Sequence, residues 1–428
     1  MKTKELIAAI DRGVFDENFR RVYVQPDEVA RQKRRCIETV ETFMETFGED
    51  RDVIVCSAPG RTEVCGNHTD HNHGKVLAAS VNLDAIAVAA VNHDGIIRVK
   101  SKGHAMNVTD LSDMQPDPAQ FGHSTSMVTG VAAGLREWGY NVSGFDACTD
   151  SNVMGGSGLS SSAAFEVLVA TCISALFNDE KIDPVTLGRV AQYSENKFFG
   201  KPCGLLDQMT SAVGTFVTID FKDTESPEIR KIDVDFDSFG HSLCIVDTGG
   251  SHSDLTDDYA AVRGEMESVA QAMGCSVLRE TTFAAFLEKL PELYRSDAVN
   301  DRALLRAYHF YEENARVDDA VKALEEKDFD AFKQIIIDSG RSSYMYNQNV
   351  FTPKDPLDQK LSLALALSEY LLAGKGAWRV HGGGFAGTIQ AFVPNDMLQT
   401  YKTEMERVFG AGSCHVLSIR PCGGVRVL

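Results

Sequence analysis

The stretch around which the chain is organised reads Val153-Met154-Gly155-Gly156-Ser157-Gly158-Leu159-Ser160-Ser161-Ser162-Ala163-Ala164. Glycine has no side chain, so it lets the backbone turn sharply and approach a ligand closely. The serines stand where an apolar helix is predicted to begin, and a helix N-terminus offers unpaired N–H groups and a partial positive charge. The stretch therefore predicts a cradle for an anion such as phosphate, although a turn followed by a serine-capped helix has the same pattern.

The surroundings of this glycine–serine loop exclude two common nucleotide sites. No Gly-Lys-Ser/Thr follows the glycines, so the loop is not of the Walker type. The glycine spacing also differs from the dinucleotide fingerprint. A strand is predicted over 145–150 before the loop and a helix over 163–177 after it. That helix is apolar nearly all round, which indicates that it is buried.

Length and composition narrow the class of protein. A chain of 428 residues predicts two domains. The net charge of -19 disfavours nucleic-acid and anionic-membrane partners. Ten cysteines are scattered singly without a CxxC pair, which is typical of reduced thiols. The polar N-terminus has no signal-peptide core and no apolar run reaches membrane-spanning length, so we expect a cytoplasmic protein. No interface pattern is legible, and we expect a monomer or a weak homo-oligomer.

A second polar stretch follows a short strand predicted over 53–58 and stopped by Pro59-Gly60. It runs from Arg61 to Gly74 and includes His68, Asp70, His71 and His73. Loops between strands of a rigid sheet often carry binding groups, and sugar hydroxyls need both donors and acceptors. The histidine spacing matches no standard zinc pattern. A sugar site, a solvated loop and a transition-metal site serving a hydrolase therefore stay open at this point.

Two further stretches carry unusual residues. A helix predicted over 187–199 contains Glu195, and Pro202-Cys203-Gly204 then leads to Asp207 among apolar neighbours. Buried carboxylates are rare unless they have a partner or a task, although Asp207 also suits an ordinary helix start. A late glycine run from Gly382 to Gly387 precedes a strand predicted over 389–393. We expect this run to pass close to the glycine–serine loop.

Together these stretches resemble the GHMP kinase superfamily (galactokinase, homoserine, mevalonate and phosphomevalonate kinases), and galactokinases most closely. The matching segments, in chain order, are Pro59–Gly74, Gly158–Ala163, Pro202–Gln208, Asp247–Tyr259 and Gly382–Gly387. Ala386 replaces one glycine of the last signature. Several independent motifs in the family's order make the resemblance much more specific than any one motif alone.

The resemblance implies an α+β, two-domain GHMP kinase fold. Its N-terminal domain would be ribosomal-protein-S5-like and its C-terminal domain ferredoxin-like, with the active site between them. We accordingly predict an N-terminal helical extension over 1–50, a first domain with the ATP and sugar loops over 51–222, and a second domain over 223–428. The implied activity is ATP-dependent phosphorylation of the anomeric hydroxyl of galactose or a close relative, with Mg²⁺ as the metal.

The same resemblance implies roles for individual residues. Ser162 and Glu195 match the magnesium contacts, and Asp207 matches the catalytic base. Arg61 matches the arginine that would hold Asp207 ionised and counter charge on the transferred phosphoryl group. The ATP phosphates would lie on Gly155, Gly156, Ser157, Gly158, Leu159, Ser160, Ser161 and Ser162. The sugar would contact Asn67, His68, Asp70, Gly204 and Tyr259.

Departures from the family pattern leave the acceptor open. Asn67 stands where galactokinases have a Glu near carbon 6, and His71 stands where they have a Tyr. The usual Val-Asn-Leu after the arginine is Thr62-Glu63-Val64. Loss of a carboxylate at position 67 makes galacturonate or another modified hexose an alternative substrate. A catalytically inactive sugar sensor is an alternative of another class.

Overall fold

The computed structural model describes residues 1–153, 158–201, 203–250 and 255–428. Its helices, in chain order, are α1 (Thr3–Asp11), α2 (Asp16–Tyr23), α3 (Pro26–Phe47), α4 (Ser124–Glu137), α5 (Ser161–Phe177), α6 (Pro184–Ser194), α7 (Leu206–Val213), α8 (Thr256–Ala272), α9 (Phe283–Arg295), α10 (Asp301–Glu325), α11 (Phe329–Ser342), α12 (Lys360–Leu372) and α13 (Leu398–Phe409). In the described part of the chain, none of these is long and apolar enough to cross a bilayer.

The strands form two sheets among the described residues. They are β1 (Ile54–Cys65), β2 (Lys75–Val91), β3 (Ile96–Ser101), β4 (Met106–Asp110), β5 (Phe145–Ser151), β6 (Phe216–Asp220), β7 (Glu228–Ile232), β8 (His241–Asp247), β9 (Ala377–Val380), β10 (Thr388–Pro394), β11 (Cys414–Leu417) and β12 (Val425–Arg426). The larger sheet has the order β12-β1-β2-β5-β3-β4. In addition, β6 pairs with residues 75–79 of β2 on one side and with β7 on the other. The smaller sheet has the order β11-β8-β10-β9. The larger sheet is mixed, because β3 and β5 are parallel, and the smaller sheet is antiparallel throughout. Together with the helices they make the predicted α+β architecture.

Helix α5 lies at the centre of the first domain. Its side chains belong to one buried cluster with β1, β2 and β5 on one side and α4 and α6 on the other. This explains why its sequence is apolar nearly all round, since a helix covered on every side has no polar face. The N-terminal end of α5 therefore has a fixed position, and the glycine–serine loop leads directly into it.

Strand β1 is longer than the sequence predicts. It continues through Pro59 and Gly60, and its pairing with β2 changes register between Pro59 and Arg61. A register shift accommodates a proline in a sheet, because proline has no N–H for the ladder. A Cβ on Gly60 would lie 2.8 Å from the carbonyl oxygen of Leu159, so the glycine lets the strand pass against the glycine–serine loop. The expected stop at Pro59-Gly60 is wrong, and Arg61 lies on the sheet.

The sheets do not divide the chain at the predicted boundary. Strand β7, over residues 228–232, pairs with β6 in the larger sheet. Strand β12, near the other end of the chain, pairs with β1 in the same sheet. We therefore propose that the first domain extends past Ile232 and that the chain returns to it after β11.

The N-terminal helices cover the outer part of the larger sheet. Buried side chains of α1, α2 and α3 form one cluster with Val53, Val55, Val88 and Val427. Behind this cluster, Asp84 is fully buried and receives hydrogen bonds from Tyr23, Arg35 and Arg420. The helical extension is thus joined to the sheet by both apolar packing and a buried ion cluster.

Candidate active site

Asp207 stands in the first turn of α7 with two partners from other elements. Arg61 of β1 donates from Nε to Asp207 Oδ1 at 2.7 Å. The Ser160 hydroxyl donates to the other carboxylate oxygen. Burial raises the pKa of Asp207, but the Arg61 charge and the two hydrogen bonds outweigh it, so the pKa lies below the usual 3.8. The carboxylate is therefore ionised at neutral pH.

The same arginine ties the glycine–serine loop to the sheet. Its Nη1 donates to the carbonyl oxygen of Gly158, and its backbone N–H donates to that of Leu159 at 3.1 Å. Gly158 and Ser160 have φ of +74° and +57°, the left-handed region, so the backbone turns sharply just before α5 begins at Ser161. The predicted phosphate residues Gly155, Gly156 and Ser157 lie outside the described residues.

A cavity of about 680 Å³ opens beside the start of α5. Ser161, Ser162 and Phe165 line it from the helix. Lys102 and Asp150 line it from the sheet and pair with each other at 3.1 Å. The cavity joins a helix N-terminus to a mixed polar and apolar wall, an arrangement suited to a nucleotide with its phosphates toward α5. Sequence reasoning did not assign these sheet residues.

A second carboxylate, that of Glu195, lies within hydrogen-bonding distance of Ser162. Ser162 donates to Glu195 Oε1 at 3.3 Å, Lys201 pairs with the same oxygen at 3.0 Å, and Gln208 donates to Oε2 at 2.6 Å. Glu195 is 2% exposed. Glu166, one turn after Ser162 on α5, is buried with neither carboxylate oxygen paired. Burial and the Glu195 charge raise the pKa of Glu166 well above 4.5.

This cluster fits a hard cation such as Mg²⁺. Ser162 and Glu195 offer oxygen ligands side by side, and a hydroxyl with a carboxylate is the minimal protein set that Mg²⁺ accepts when phosphates and water supply the rest. The Lys201 ammonium pairs with the Glu195 oxygen that a cation at this position would share with Ser162. Within the described residues, no three His, Cys, Asp or Glu side chains form a metal cluster of their own.

Three of the predicted sugar residues, Asn67, His68 and Tyr259, contact one turn of the second domain, Gly382–Gly384. His68 Nε2 donates to the carbonyl oxygen of Gly383 at 2.9 Å, and the Tyr259 hydroxyl donates to that of Gly384 at 3.0 Å. A Cβ on Gly383 would lie 2.6 Å from the Tyr259 ring, so only glycine fits there. Burial and the Asp258 charge raise the pKa of Tyr259 to about 12. The turn thus joins a residue of each domain.

Asp70 and Gly204 face each other. A Cβ on Gly204 would lie 3.1 Å from Asp70 Oδ2. Burial raises the pKa of Asp70, and this effect and neighbouring carboxylates outweigh the opposing charge of His68. Asp70 and Gly204 come from different parts of the chain and meet on the side of the site where Asp207 lies.

Asn67 has a different environment from the one that the sequence predicts. Its side chain is fully buried. Its amide nitrogen donates to Glu63 Oε1 at 2.9 Å and to the carbonyl oxygen of Gly382 at 2.7 Å. Its amide oxygen accepts from Ser343 at 3.2 Å and from Asn349 at 2.8 Å. These four bonds use the whole capacity of the amide, which argues against direct contact between Asn67 and a sugar.

Helix α10 fixes the backbone of the sugar loop from behind. Glu313 accepts from the backbone N–H groups of Gly66 and Asn67 at 3.1 and 3.3 Å, and from the Ser339 hydroxyl at 2.5 Å. Burial raises the pKa of Glu313, but His309, the nearby arginines and the hydrogen bonds lower it to about 2. His309 donates to the carbonyl oxygen of Asn67 at 2.9 Å. The loop is therefore held in place by a buried charge.

Comparisons with known proteins identify the family. Residues 41–91 match the galactokinase galactose-binding signature, and residues 124–215 match the GHMP kinases N terminal domain. A galactokinase of Streptomyces coelicolor is 31% identical over 394 residues, which cover 91% of this chain and 97% of the relative. A galactokinase of Actinobacillus pleuropneumoniae is 30% identical over 88% of this chain and 92% of the relative. The chain belongs to the galactokinase family.

Solved structures agree with the fold. Lactococcus lactis galactokinase complexed with galactose superposes with a TM-score of 0.74 at 22% identity, covering 90% of this chain and 98% of that one. Methanococcus jannaschii mevalonate kinase superposes with a TM-score of 0.61 at 15% identity, covering 86% and 98%. The predicted GHMP kinase fold is confirmed, and family membership makes the chain an ATP-dependent sugar kinase.

Several residues of this galactokinase-family site could not be found from local sequence. His381 is buried between Thr62 and Thr388, with its Nε2 3.1 Å from the Thr62 hydroxyl. It lies against Gly158, so the late glycine run does reach the glycine–serine loop, as expected. Lys201 has a weak signal, because it stands two residues before Cys203 in the predicted catalytic segment. Glu313 has none, since the backbone N–H groups of Gly66 and Asn67 that it binds lie more than 200 residues away.

Proposed function

We propose that this sugar kinase transfers the γ-phosphoryl group of ATP to the anomeric hydroxyl of galactose or a close relative. The observation that carries the proposal is the ionised Asp207, held between Arg61 and Ser160 where the glycine–serine loop enters α5. The relatives of the chain, galactokinases that match it over most of their length, support galactose as the acceptor.

Asp207 is the base of the proposed reaction. Its pKa lies below the usual value, so the carboxylate is ionised and can accept the proton of the anomeric hydroxyl. The oxygen of that sugar hydroxyl attacks the γ-phosphorus as it loses the proton. Arg61 keeps the carboxylate oriented and places a positive charge beside the transferred group. Backbone N–H groups at the start of α5 hold the phosphates in line with the acceptor.

Magnesium and the sugar have separate places in the proposal. Ser162 and Glu195 would hold Mg²⁺, which when bound neutralises charge on the ATP phosphates. His68, Asp70 and the backbone near Gly204 would contact sugar hydroxyls, and Tyr259 would close the site from the second domain.

The ten cysteines are all free thiols, which supports our expectation that the protein acts in the reducing cytoplasm.

A coupled ADP-release screen over hexoses, amino sugars and uronic acids tests the function. We expect the highest kcat/KM with galactose and a single ³¹P NMR product signal from a sugar 1-phosphate. Phosphate on another carbon would contradict the anomeric assignment. Calorimetric binding of galactose without turnover of any sugar would instead favour the inactive sensor.

A further inference from the structure

His381 lies where the second domain meets the glycine–serine loop. It follows β9 and precedes the turn Gly382–Gly384. A Cβ on Gly158 would lie 3.2 Å from His381 Nδ1 and 3.3 Å from its Cε1, so the imidazole ring lies against the backbone of Gly158. Arg61 donates to the carbonyl oxygen of the same glycine. Gly158 is therefore held between a side chain of the first domain and a side chain of the second.

Both ring nitrogens of His381 have partners in the protein. Nε2 lies 3.1 Å from the Thr62 hydroxyl of β1, and Nδ1 lies 2.9 Å from the Thr388 hydroxyl of β10. His381 is only 3% exposed. Thr62 directly follows Arg61 in the chain. The ring thus joins the strand that carries Arg61 to the sheet of the second domain.

The direction of these hydrogen bonds follows from the partners of Thr62. Gln390 Nε2 donates to the Thr62 hydroxyl at 2.6 Å and to the carbonyl oxygen of Glu63 at 3.0 Å. A carbonyl oxygen only accepts, so the second bond fixes the orientation of the Gln390 amide. The Thr62 hydroxyl accepts from Gln390 and has its own proton to donate, for which His381 Nε2 is the acceptor among the described residues. The proton of the imidazole then lies on Nδ1, which donates to Thr388.

This arrangement requires a neutral ring. A protonated imidazole is a donor at both nitrogens and could no longer accept from Thr62. It would also add a positive charge near Arg61 and Arg379. Burial and the charges of these two arginines lower the pKa of His381 well below the usual 6.5. The ring is therefore uncharged at neutral pH and acts through its shape and its hydrogen bonds.

We propose that His381 is a positioning residue for phosphoryl transfer, which fixes β1 against the glycine–serine loop; this rests on the function proposed above. Arg61 on that strand binds Asp207, and the loop leads into the start of α5. The rate of transfer depends on close alignment of base, acceptor and phosphate, so a small displacement of strand or loop lowers turnover while the binding groups remain. His381 acts through Thr62 and Gly158 and does not itself react.

Two variants test this role by steady-state kinetics. His381→Phe keeps a ring but removes both hydrogen bonds, and we expect kcat to fall about tenfold to a hundredfold. The KM for galactose and the affinity for a non-hydrolysable ATP analogue should change by less than about threefold. His381→Gln can still accept from Thr62 and donate to Thr388, so it should recover part of the lost kcat. An unchanged kcat in His381→Phe, a loss that appears in binding instead of kcat, or equal kcat in both variants would contradict the role.

His241→Phe is the matched control. The ring nitrogens of His241 lie 2.8 Å and 3.0 Å from the carbonyl oxygens of Phe239 and Lys375, neither of which belongs to β1 or the glycine–serine loop. Thermal unfolding measures the stability that each variant loses with its hydrogen bonds. We expect a loss of stability in both phenylalanine variants but a loss of kcat only in His381→Phe. A similar fall of kcat in His241→Phe would mean that turnover follows stability and not the position of β1.

Nuclear magnetic resonance tests the hydrogen bonds without kinetics. A long-range ¹H–¹⁵N correlation spectrum of protein labelled at the histidine nitrogens distinguishes both neutral tautomers from the charged ring, and the signal of His381 is the one missing from His381→Gln. We expect a neutral ring with its proton on Nδ1 at pH 7. A proton on Nε2, or a charged ring, would overturn the inference. If the unmodified protein phosphorylates no sugar, the proposed function fails, whereas an active protein with normal kcat in His381→Phe refutes only this inference.

Discussion

Asp207 has surroundings that differ from those of an ordinary surface carboxylate. Its neighbours reach it from β1 and from the start of α5, so three separate segments must be in place before its pKa is lowered. Asp207 itself is visible in the sequence as a carboxylate among apolar residues. Arg61 is predicted beside it only through the family resemblance, and the contact with Ser160 is not predicted at all, because these partners precede it by 146 and 47 positions.

Asp207→Asn should abolish the proposed proton transfer while it preserves the shape of the side chain. General-base catalysis contributes about 10²–10⁴-fold, so we expect kcat to fall by that factor. ATP binding should change little, because the amide still accepts from Arg61. Steady-state turnover and calorimetry with an ATP analogue measure the two effects. A variant with the turnover of the unmodified protein would exclude Asp207 as the base.

Lys201→Met should strengthen Mg²⁺ binding, because the ammonium that competes for Glu195 Oε1 is removed. Since Lys201 is 62% exposed, we expect the Mg²⁺ concentration at half-saturation to fall only about two- to fivefold. Calorimetric titration of the complex with an ATP analogue measures this. Lys197→Met, which removes an ammonium lying 4.6 Å from the centre of the Tyr193 ring, is the matched control. Weaker Mg²⁺ binding in Lys201→Met would show that Lys201 assists the phosphates.

Among the elements, β1 shows how far local sequence can be used. Its first residues are apolar and predict a strand, but Pro59-Gly60 has the composition of a turn. The strand continues where Val153 and Leu159 of the glycine–serine loop pack against it at Gly60, a contact that no local pattern contains. Helix α5 is the opposite case, since burial on all sides is visible in its own composition. The burial of Asn67 could not be predicted, because three of its four hydrogen-bond partners, in Gly382, Ser343 and Asn349, lie more than 270 residues away.

Helix α10 holds the sugar loop through a carboxylate whose pKa is depressed to about 2. In the unfolded chain such a group titrates near 4.5, so its stabilising effect is complete above that pH and is lost as the pH falls toward 2. A shift of this size corresponds to roughly 3 kcal/mol.

Glu313→Gln should therefore be much less stable than the unmodified protein at pH 7, and the difference should shrink at pH 3.5. Urea unfolding at the two pH values measures the free energy of unfolding of both proteins. Glu312→Gln removes the neighbouring carboxylate, which is 36% exposed, and should show no such pH dependence beyond about 1 kcal/mol. A gap between Glu313→Gln and the unmodified protein that stays constant with pH would refute the assignment.

At the scale of the molecule, the buried cluster around Asp84 joins the N-terminal helices, the larger sheet and the C-terminal segment. Arg35 approaches it from the N-terminal helices at 2.6 Å, and Arg420 approaches it from the returning C-terminal segment at 3.0 Å. Neither Asp84 nor Arg420 has an exposed side chain. Removal of one partner leaves a buried charge without full compensation, which is strongly destabilising.

Arg420→Met should lower the free energy of unfolding by about 3–5 kcal/mol. Chemical denaturation followed by circular dichroism measures the loss. Arg426→Met is the matched control on the same segment, because Arg426 is 40% exposed and its pair with Glu180 is long, at 3.4 Å, so we expect less than about 1 kcal/mol. Similar losses in both variants would mean that the segment acts through packing and not through the buried charge.

The return of residues 418–428 to the larger sheet has a consequence for biosynthesis. During translation, β1 is made early but its outer neighbour β12 emerges more than 350 residues later. Until then β1 is an unprotected edge with open hydrogen-bonding groups, and Asp84 lacks the arginine at position 420. The first domain is therefore completed only after the second has been synthesised, and until then this edge of β1 is open to pairing with another chain.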